Sequence, residues 1–456
     1  LGDSISEPGL PAGLDGGNES APGLPPGLDS GGAEEPGLPA GLAEEKPAST
    51  DQAQSDATSW RDRLPFPLYG FWETRAGIRT QPDAAQPADA VLGETRLQLK
   101  TTINVRDVTL DYTGDVYLDG VVENADYDLR RLRLTWSPLS SVDVRAGRQV
   151  LTWGTGDMLF INDLFPKDWQ SFFTGRDVEY LKAPSDAVRI GWFTDPLNID
   201  LVYTPQFAPD RYITGERISY WNPLLQGHAG KHDDVNANAP SDWFEDDEWA
   251  VRLYRNIGAT EVALYGYSGY WKSPGGQDLF ANQATFPKLR VYGASARGTL
   301  AGGVANLEIG YYDSYEDRSG KDPWTNNSEL RLLAGYEHEL AREFTGAVQY
   351  YVEHMMDYEA YTDTRWRIMP KRDENRHVMT VRLTKLLMNQ TLTLSLFGYY
   401  SPSDEDAYLR PLATYKATDQ WIVEVGGNVF LGARDDSFFG QFEDNTNVYA
   451  GLRYAF

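Results

Sequence analysis

The chain has 456 residues, a net charge of −26 and no cysteine, which excludes a disulfide framework or a thiolate metal site and argues against nucleic acid as a partner. Hydropathy is negative on average, and no run approaches the length of about eighteen apolar residues that a membrane-crossing helix needs. Aromatic residues nevertheless make up 13%, with 27 Tyr and 13 Trp, which suits the other structure able to cross lipid, a closed barrel with every backbone group paired.

Residues 1–60 form one region. It is rich in Pro, Gly and Glu, and holds eleven acids against one base, Lys46. So few large apolar groups cannot offset the entropy of ordering the segment alone. A unit recurs every fourteen residues: Pro8-Gly9-Leu10-Pro11-Ala12-Gly13-Leu14, then Pro22 to Leu28, then Pro36 to Leu42. A spacer is one reading. The other is three copies of a peptide ligand, because Leu10, Leu14, Leu24, Leu28, Leu38 and Leu42 keep the same two offsets. Three copies suit a threefold-symmetric periplasmic or inner-membrane transporter bound by residues 8–42. No export signal is visible, and a chain that starts at Leu1 without Met reads as one whose leader has been removed.

Residues 61–456 read as an all-β region, a transmembrane antiparallel β-barrel. Alternation of apolar and polar residues, the signature of a half-buried strand, is persistent here. Leu97, Leu99, Thr101 and Ile103 alternate with Arg96, Gln98, Lys100 and Thr102; Leu132, Leu134 and Trp136 alternate with Arg131, Arg133 and Thr135. Eighteen such segments can be counted, near 68–80, 93–105, 107–119, 127–137, 141–152, 185–194, 197–206, 247–256, 259–271, 287–298, 303–314, 328–339, 342–355, 375–386, 390–400, 406–416, 419–430 and 446–456. Sixteen is the alternative count. Short connections such as Val105-Arg106-Asp107, Asn256-Ile257-Gly258 and Met388-Asn389-Gln390 alternate with long ones, chiefly 153–184, 207–246, 272–286, 315–327, 356–374 and 431–445. Outer-membrane barrels show this rhythm, with short periplasmic turns and long external loops. An even count then places the N-terminus in the periplasm and the barrel in the outer membrane, against outer-membrane lipid. The terminal Tyr454-Ala455-Phe456 resembles the signal read by the barrel-assembly machinery, a partner during biogenesis.

The stretch from Val142 to Gly154 (Val-Asp-Val-Arg-Ala-Gly-Arg-Gln-Val-Leu-Thr-Trp-Gly), followed by Gly156-Asp157, resembles a strand-and-loop signature of alginate-export-type porins. Tyr408-Leu409-Arg410-Pro411, with Tyr415-Lys416 and Asp419, is a second likeness to that family. The resemblance implies an eighteen-stranded channel with long external loops; it does not carry the alginate substrate.

Read by parity, the inward face offers Arg96, Lys100, Arg131, Arg133, Arg145, Arg189, Arg252, Arg290, Arg331, Arg382 and Arg410 with Asp111, Asp115 and Glu424 as pore-lining candidates. Cross-strand ion pairs in a solvated lumen are the plain reading of such a face. An ordered arginine ladder selecting anionic solutes is the sharper one. Arg148 is left open, because Gly147 could host a bulge that switches parity. The segment from Met158 to Phe173 is unusually apolar for an external loop, and either folds into the lumen as a constriction or packs on the rim. The five histidines, His228, His232, His338, His354 and His377, sit in no recognisable nucleophile signature, so neither a catalytic centre nor a cofactor nor a metal is expected. His228 and His232 beside Asp233 and Asp234, and the acidic run Asp242, Glu245 to Glu248, read as solvated loop. The expected function is an outer-membrane transport channel, the exit of a trans-envelope system tethered through the N-terminal repeats. A stand-alone passive porin for small polar solutes is the alternative, and a barrel enzyme the second.

Overall fold

The computed structural model describes residues 64–233 and 235–456. Among them, eighteen strands form one antiparallel sheet. In chain order they are β1 (Tyr69–Arg79), β2 (Ala90–Val105), β3 (Val108–Asp119), β4 (Asn124–Leu139), β5 (Val142–Val150), β6 (Pro184–Trp192), β7 (Asn198–Thr204), β8 (Glu248–Ile257) and β9 (Thr260–Tyr270). The second half is β10 (Lys288–Leu300), β11 (Gly303–Ser314), β12 (Glu329–Ala341), β13 (Phe344–Met355), β14 (Asn375–Leu387), β15 (Leu392–Ser401), β16 (Asp406–Lys416), β17 (Trp421–Gly432) and β18 (Asn447–Ala455). Each pairs with the next, and β18 pairs back onto β1 with Phe71 opposite Ala455, so the sheet closes and leaves no edge. The count is eighteen, not sixteen.

The turns at one end are tight. Residues 106–107 join β2 to β3 and 301–302 join β10 to β11, with Arg106 and Ala301 in the left-handed region. At the other end most connections are long, apart from 120–123 and 402–405, and carry extra elements, among them α1 (Trp169–Thr174), α2 (Tyr358–Thr364) and a hairpin of Tyr220–Asn222 with Gly227–Ala229.

Alternation sorts the side chains onto two faces. Leu97, Val116, Leu134, Leu264, Leu307, Val348 and Val425 are exposed on the outside. Aromatic residues border this band: Trp136, Trp192 and Trp421 at the short-turn end, Trp249, Tyr292, Tyr311 and Tyr400 toward the long-loop end. Such rows suit the two interfaces of a bilayer. The buried groups, polar and apolar, therefore lie inside.

Candidate functional site: the lumen and its inward loop

The connection from Leu151 to Ala183 does not project outward. Leu151, Ile161, Phe165, Phe172, Phe173 and Leu181 are all buried, packed with inward aromatics such as Tyr254, Tyr312, Tyr351, Tyr408 and Phe430. Phe173 lies 5.3 Å from Tyr408 and from Phe430, both edge-on, and those two rings stack at 4.7 Å. Aromatic pairs of this kind contribute roughly 0.5–1.5 kcal/mol each beyond their buried area. The apolar run from Met158 to Phe173 is thus a constriction inside the barrel, and loop 153–184 is not an external loop.

Polar contacts fix the loop to strands all around the wall. On one side Tyr180 donates to Asp115 of β3 (2.8 Å), and Arg130 of β4 donates to the Glu179 carbonyl (3.0 Å). Across the lumen Tyr399 of β15 donates to the Met158 carbonyl (2.7 Å), Arg382 of β14 pairs with Asp157 (2.5 Å), and Arg410 of β16 donates to the Arg176 carbonyl (3.0 Å). Arg176 in turn pairs with Glu94 of β2 (2.7 Å) and Asp119 of β3 (3.3 Å). The Glu308 carboxylate on β11 accepts from Gly156 N (2.7 Å), Thr155 Oγ1 (2.9 Å), the backbone N of Thr155, and both nitrogens of Asn162.

Local sequence shapes the loop as well. Asp168 caps α1 by accepting from Ser171 N at 2.7 Å, and Gly175 ends it at φ 92°. A Cβ on Gly175 would stand 2.3 Å from the Tyr449 ring, so only glycine satisfies both backbone and packing there.

Two carboxyls on the loop respond oppositely to this setting. Burial and the neighbouring Asp177 lift the Glu179 carboxyl to about 7. Burial would also raise Asp177, but Arg453 and Arg75 hold it below the usual carboxylate range. Arg453 reaches Asp177 at 2.8 Å and Glu179 at 3.8 Å.

Charges of both signs line the wall. Arg133 pairs with Asp111 (2.8 Å), Arg145 with Asp143 (2.9 Å), Arg189 with Asp200 (2.9 Å) and Arg331 with Glu329 (2.6 Å). Arg252 pairs with Glu261, Glu424 with Arg75, and Arg96 with Glu94 and Asp115. Lys100 and Arg131 share the inward parity, Lys100 with Arg96 on β2 and Arg131 opposite Thr113 of β3. Arg145 and Arg189 stand directly across from one another, and each is paired with its own acid. Some of these pairs cross between neighbouring strands (Arg96–Asp115, Arg133–Asp111, Arg189–Asp200, Arg252–Glu261), and others lie two residues apart on one strand (Arg96–Glu94, Arg145–Asp143, Arg331–Glu329).

Arg290 is a correction. On β10 the inward residues are Leu289, Val291, Ser295 and Arg297, so Arg290 points outward and lies 4.3 Å from the Tyr315 ring. Parity inverts here because the inner wall of β8–β10 meets the apolar loop: Val291, Tyr265, Tyr267, Trp153 and Phe165 line one small cavity. The rule that apolar residues face lipid fails where the lumen itself is apolar. Arg148 also faces outward, aligned with Leu132 and paired with Asp186 at 3.0 Å, while Gly147 takes φ 114° without slipping the β5–β6 register.

Arg75, Arg130 and Glu308 were not among the sequence candidates. Arg130 is the extra residue of a bulge in β4, which no parity count reveals. Leu10, Leu14, Leu24, Leu28, Leu38 and Leu42 lie outside the described residues, as does Asp234. His228 bonds the Gln441 carbonyl and packs on Trp221, and Glu248 is taken up by Lys272 and Tyr267.

The long-loop end is roofed. Loop 205–247 reaches over the mouth, where Arg217 pairs with Asp119, Arg211 with Asp128 (2.8 Å), and Ser219 accepts from Asn445 (2.9 Å).

The sequence matches no protein-family model and no curated protein. Its structure is similar to a crystal structure of Acinetobacter baumannii OccAB3, with TM-score 0.51 and 11% identity over 85% of this chain and 98% of that one. OccAB1 of the same organism gives TM-score 0.50 and 9% identity over 85% and 96%. The outer membrane channel DcaP of that organism gives 0.43 and 11% over 86% and 97%. The fold is a porin-type barrel. No family match supports the alginate-export resemblance, which stands on its two motifs; Tyr408 and Arg410 of the second motif both hold the constriction loop.

Proposed function

We propose that this protein is an outer-membrane channel that passes small polar solutes passively through a lumen narrowed by residues 151–183. The observation that carries the reading is the position of that loop, inside a closed barrel and bonded to opposite walls. A barrel filled only by its own wall residues would be a scaffold, whereas an inserted loop against a charged wall sets the size and polarity of a path. The outer apolar band with its two aromatic rows supports the membrane placement. Arg133, Arg145 and Arg189 on three successive strands favour solutes bearing a carboxylate or phosphate, moderated by the acid paired with each.

The test is conductance. Purified protein in a planar bilayer gives discrete ion-conducting steps, and deletion of residues 158–173 raises the step several-fold. A deletion that leaves the step unchanged overturns the constriction. The tethered export version rests on the N-terminal repeats alone. It is tested by replacing Leu10, Leu14, Leu24, Leu28, Leu38 and Leu42 with Ser at constant length: loss of a co-purifying transporter supports it, and retention reduces the segment to a spacer. Three linked units would gain roughly two to four orders of magnitude in avidity over one.

A further inference from the structure

Among the described residues, the outer face carries one ion pair between two strand residues, away from the rims. Arg148 of β5 and Asp186 of β6 bond at 3.0 Å with side chains 31% and 49% exposed. Their neighbours on that face are apolar: Leu132 across from Arg148, and Val188, Ile190 and Trp192 along β6. Other charged residues at outward strand positions lie at the rims, Lys288, Arg290 and Asp313 at the long-loop end, Arg255 and Lys385 at the short-turn end.

Depth separates this pair from those. Arg148 stands six residues from Val142 at the short-turn end of its strand, and Asp186 six from Trp192. The upper aromatic row stands eight residues up: Trp249 from Ile257, Tyr292 from Leu300, Tyr311 from Gly303, Tyr400 from Leu392. The pair therefore lies inside the apolar band, where charge on the lipid face is destabilising in proportion to depth. The wall is also lowest here. Strands β5, β6 and β7 have nine, nine and seven residues against sixteen in β4, at or below the length of about nine to eleven that crosses the hydrocarbon.

We infer that the β4–β6 sector is covered by a second copy of this chain in a twofold contact. A surface that presents one base beside one acid on an apolar sheet is self-complementary: after a half-turn, Arg148 of each copy faces Asp186 of the other. Packing of Leu132, Val188 and Ile190 around the four charges excludes lipid from them and shields the low stretch of wall from the bilayer. This inference rests on the membrane placement proposed above.

The experiment compares the full chain with an Arg148→Leu, Asp186→Leu double variant, extracted from membranes in mild detergent. Light scattering on the wild type gives a mass of two chains or a multiple of two, and the variant gives one. The variant's barrel, judged by heat-shifted gel mobility, stays folded. A single-chain wild type, or a variant that remains associated, overturns the interface. The chain has no cysteine, so a Val188→Cys variant offers a second readout. Oxidation in membranes links it into dimers, while Cys at Leu307, exposed on the outer face of β11 five strands away, gives none. Equal cross-linking at both positions also overturns the proposal. Conductance is recorded on the same samples: a monomer that conducts rejects the interface and keeps the channel, whereas an associated protein that never conducts rejects the channel instead.

Discussion

Glu308 holds Asn162 by both of its nitrogens, the backbone N at 3.2 Å and the side-chain Nδ2 at 2.8 Å, while its second oxygen holds Thr155 and Gly156. All of these donors are uncharged. A carboxylate can satisfy them because it is acceptor-only, and at 4% exposure it has little recourse to water. Glu308 thus clamps the two limbs of the constriction loop to one point on β11.

Glu308→Gln should release that clamp. An amide turns one acceptor into a donor, which then faces N–H groups, and each buried group left unpaired costs about 1–3 kcal/mol. Single-channel recordings of the variant should show a larger conductance with flicker between levels. A steady wild-type level would show that the remaining wall contacts hold the loop unaided.

Gly175→Ala should act at the other end of the loop. The φ of 92° disfavours any Cβ, and the Tyr449 ring occupies its place. The loop should dock incompletely, seen as faster proteolysis at Arg176 in detergent-solubilised protein. Adding Tyr449→Ala removes the clash but not the φ strain, so it should restore part of the protection.

Loop closure should depend on pH. Glu179 keeps its proton up to about 7 in the folded barrel, whereas an unfolded glutamate loses it near 4.5. The native state therefore binds more protons between those values, and the docked loop is favoured at low pH and weakened as pH rises through 7. Conductance should increase from pH 5 to pH 8. A Glu179→Gln variant should lose the dependence; if it retains the full wild-type profile, another group is responsible.

Protease on intact cells should distinguish the long loops from each other. Exposed Arg367 and Lys371 in loop 356–374 should be cut by trypsin. Lys167, Arg176 and Lys182 in the inward loop should be spared, as should the short turn at Arg106. Cleavage at Arg106 in sealed cells would invert the orientation, and rapid cleavage at Lys182 would place the loop outside the lumen.

The eighteen strands were legible in the sequence because alternation is a local property. A pleated backbone sends successive side chains to opposite faces, and an apolar outside marks every other residue wherever lipid is the neighbour. The same parity puts Arg96, Arg133, Arg189 and Glu424 on the inward face without any knowledge of the fold. It fails at Arg290, where the lumen wall is apolar, and at Arg130, where a bulge adds a residue. Sequence also marked residues 158–173 as too apolar for a solvated loop, but gave no means of choosing between lumen and rim. That choice rests on partners such as Glu308, 153 residues from Thr155, and Arg410, 234 from Arg176. Only closure of the barrel brings them within hydrogen-bond distance, so strand pattern belongs to the chain and the constriction belongs to the tertiary structure.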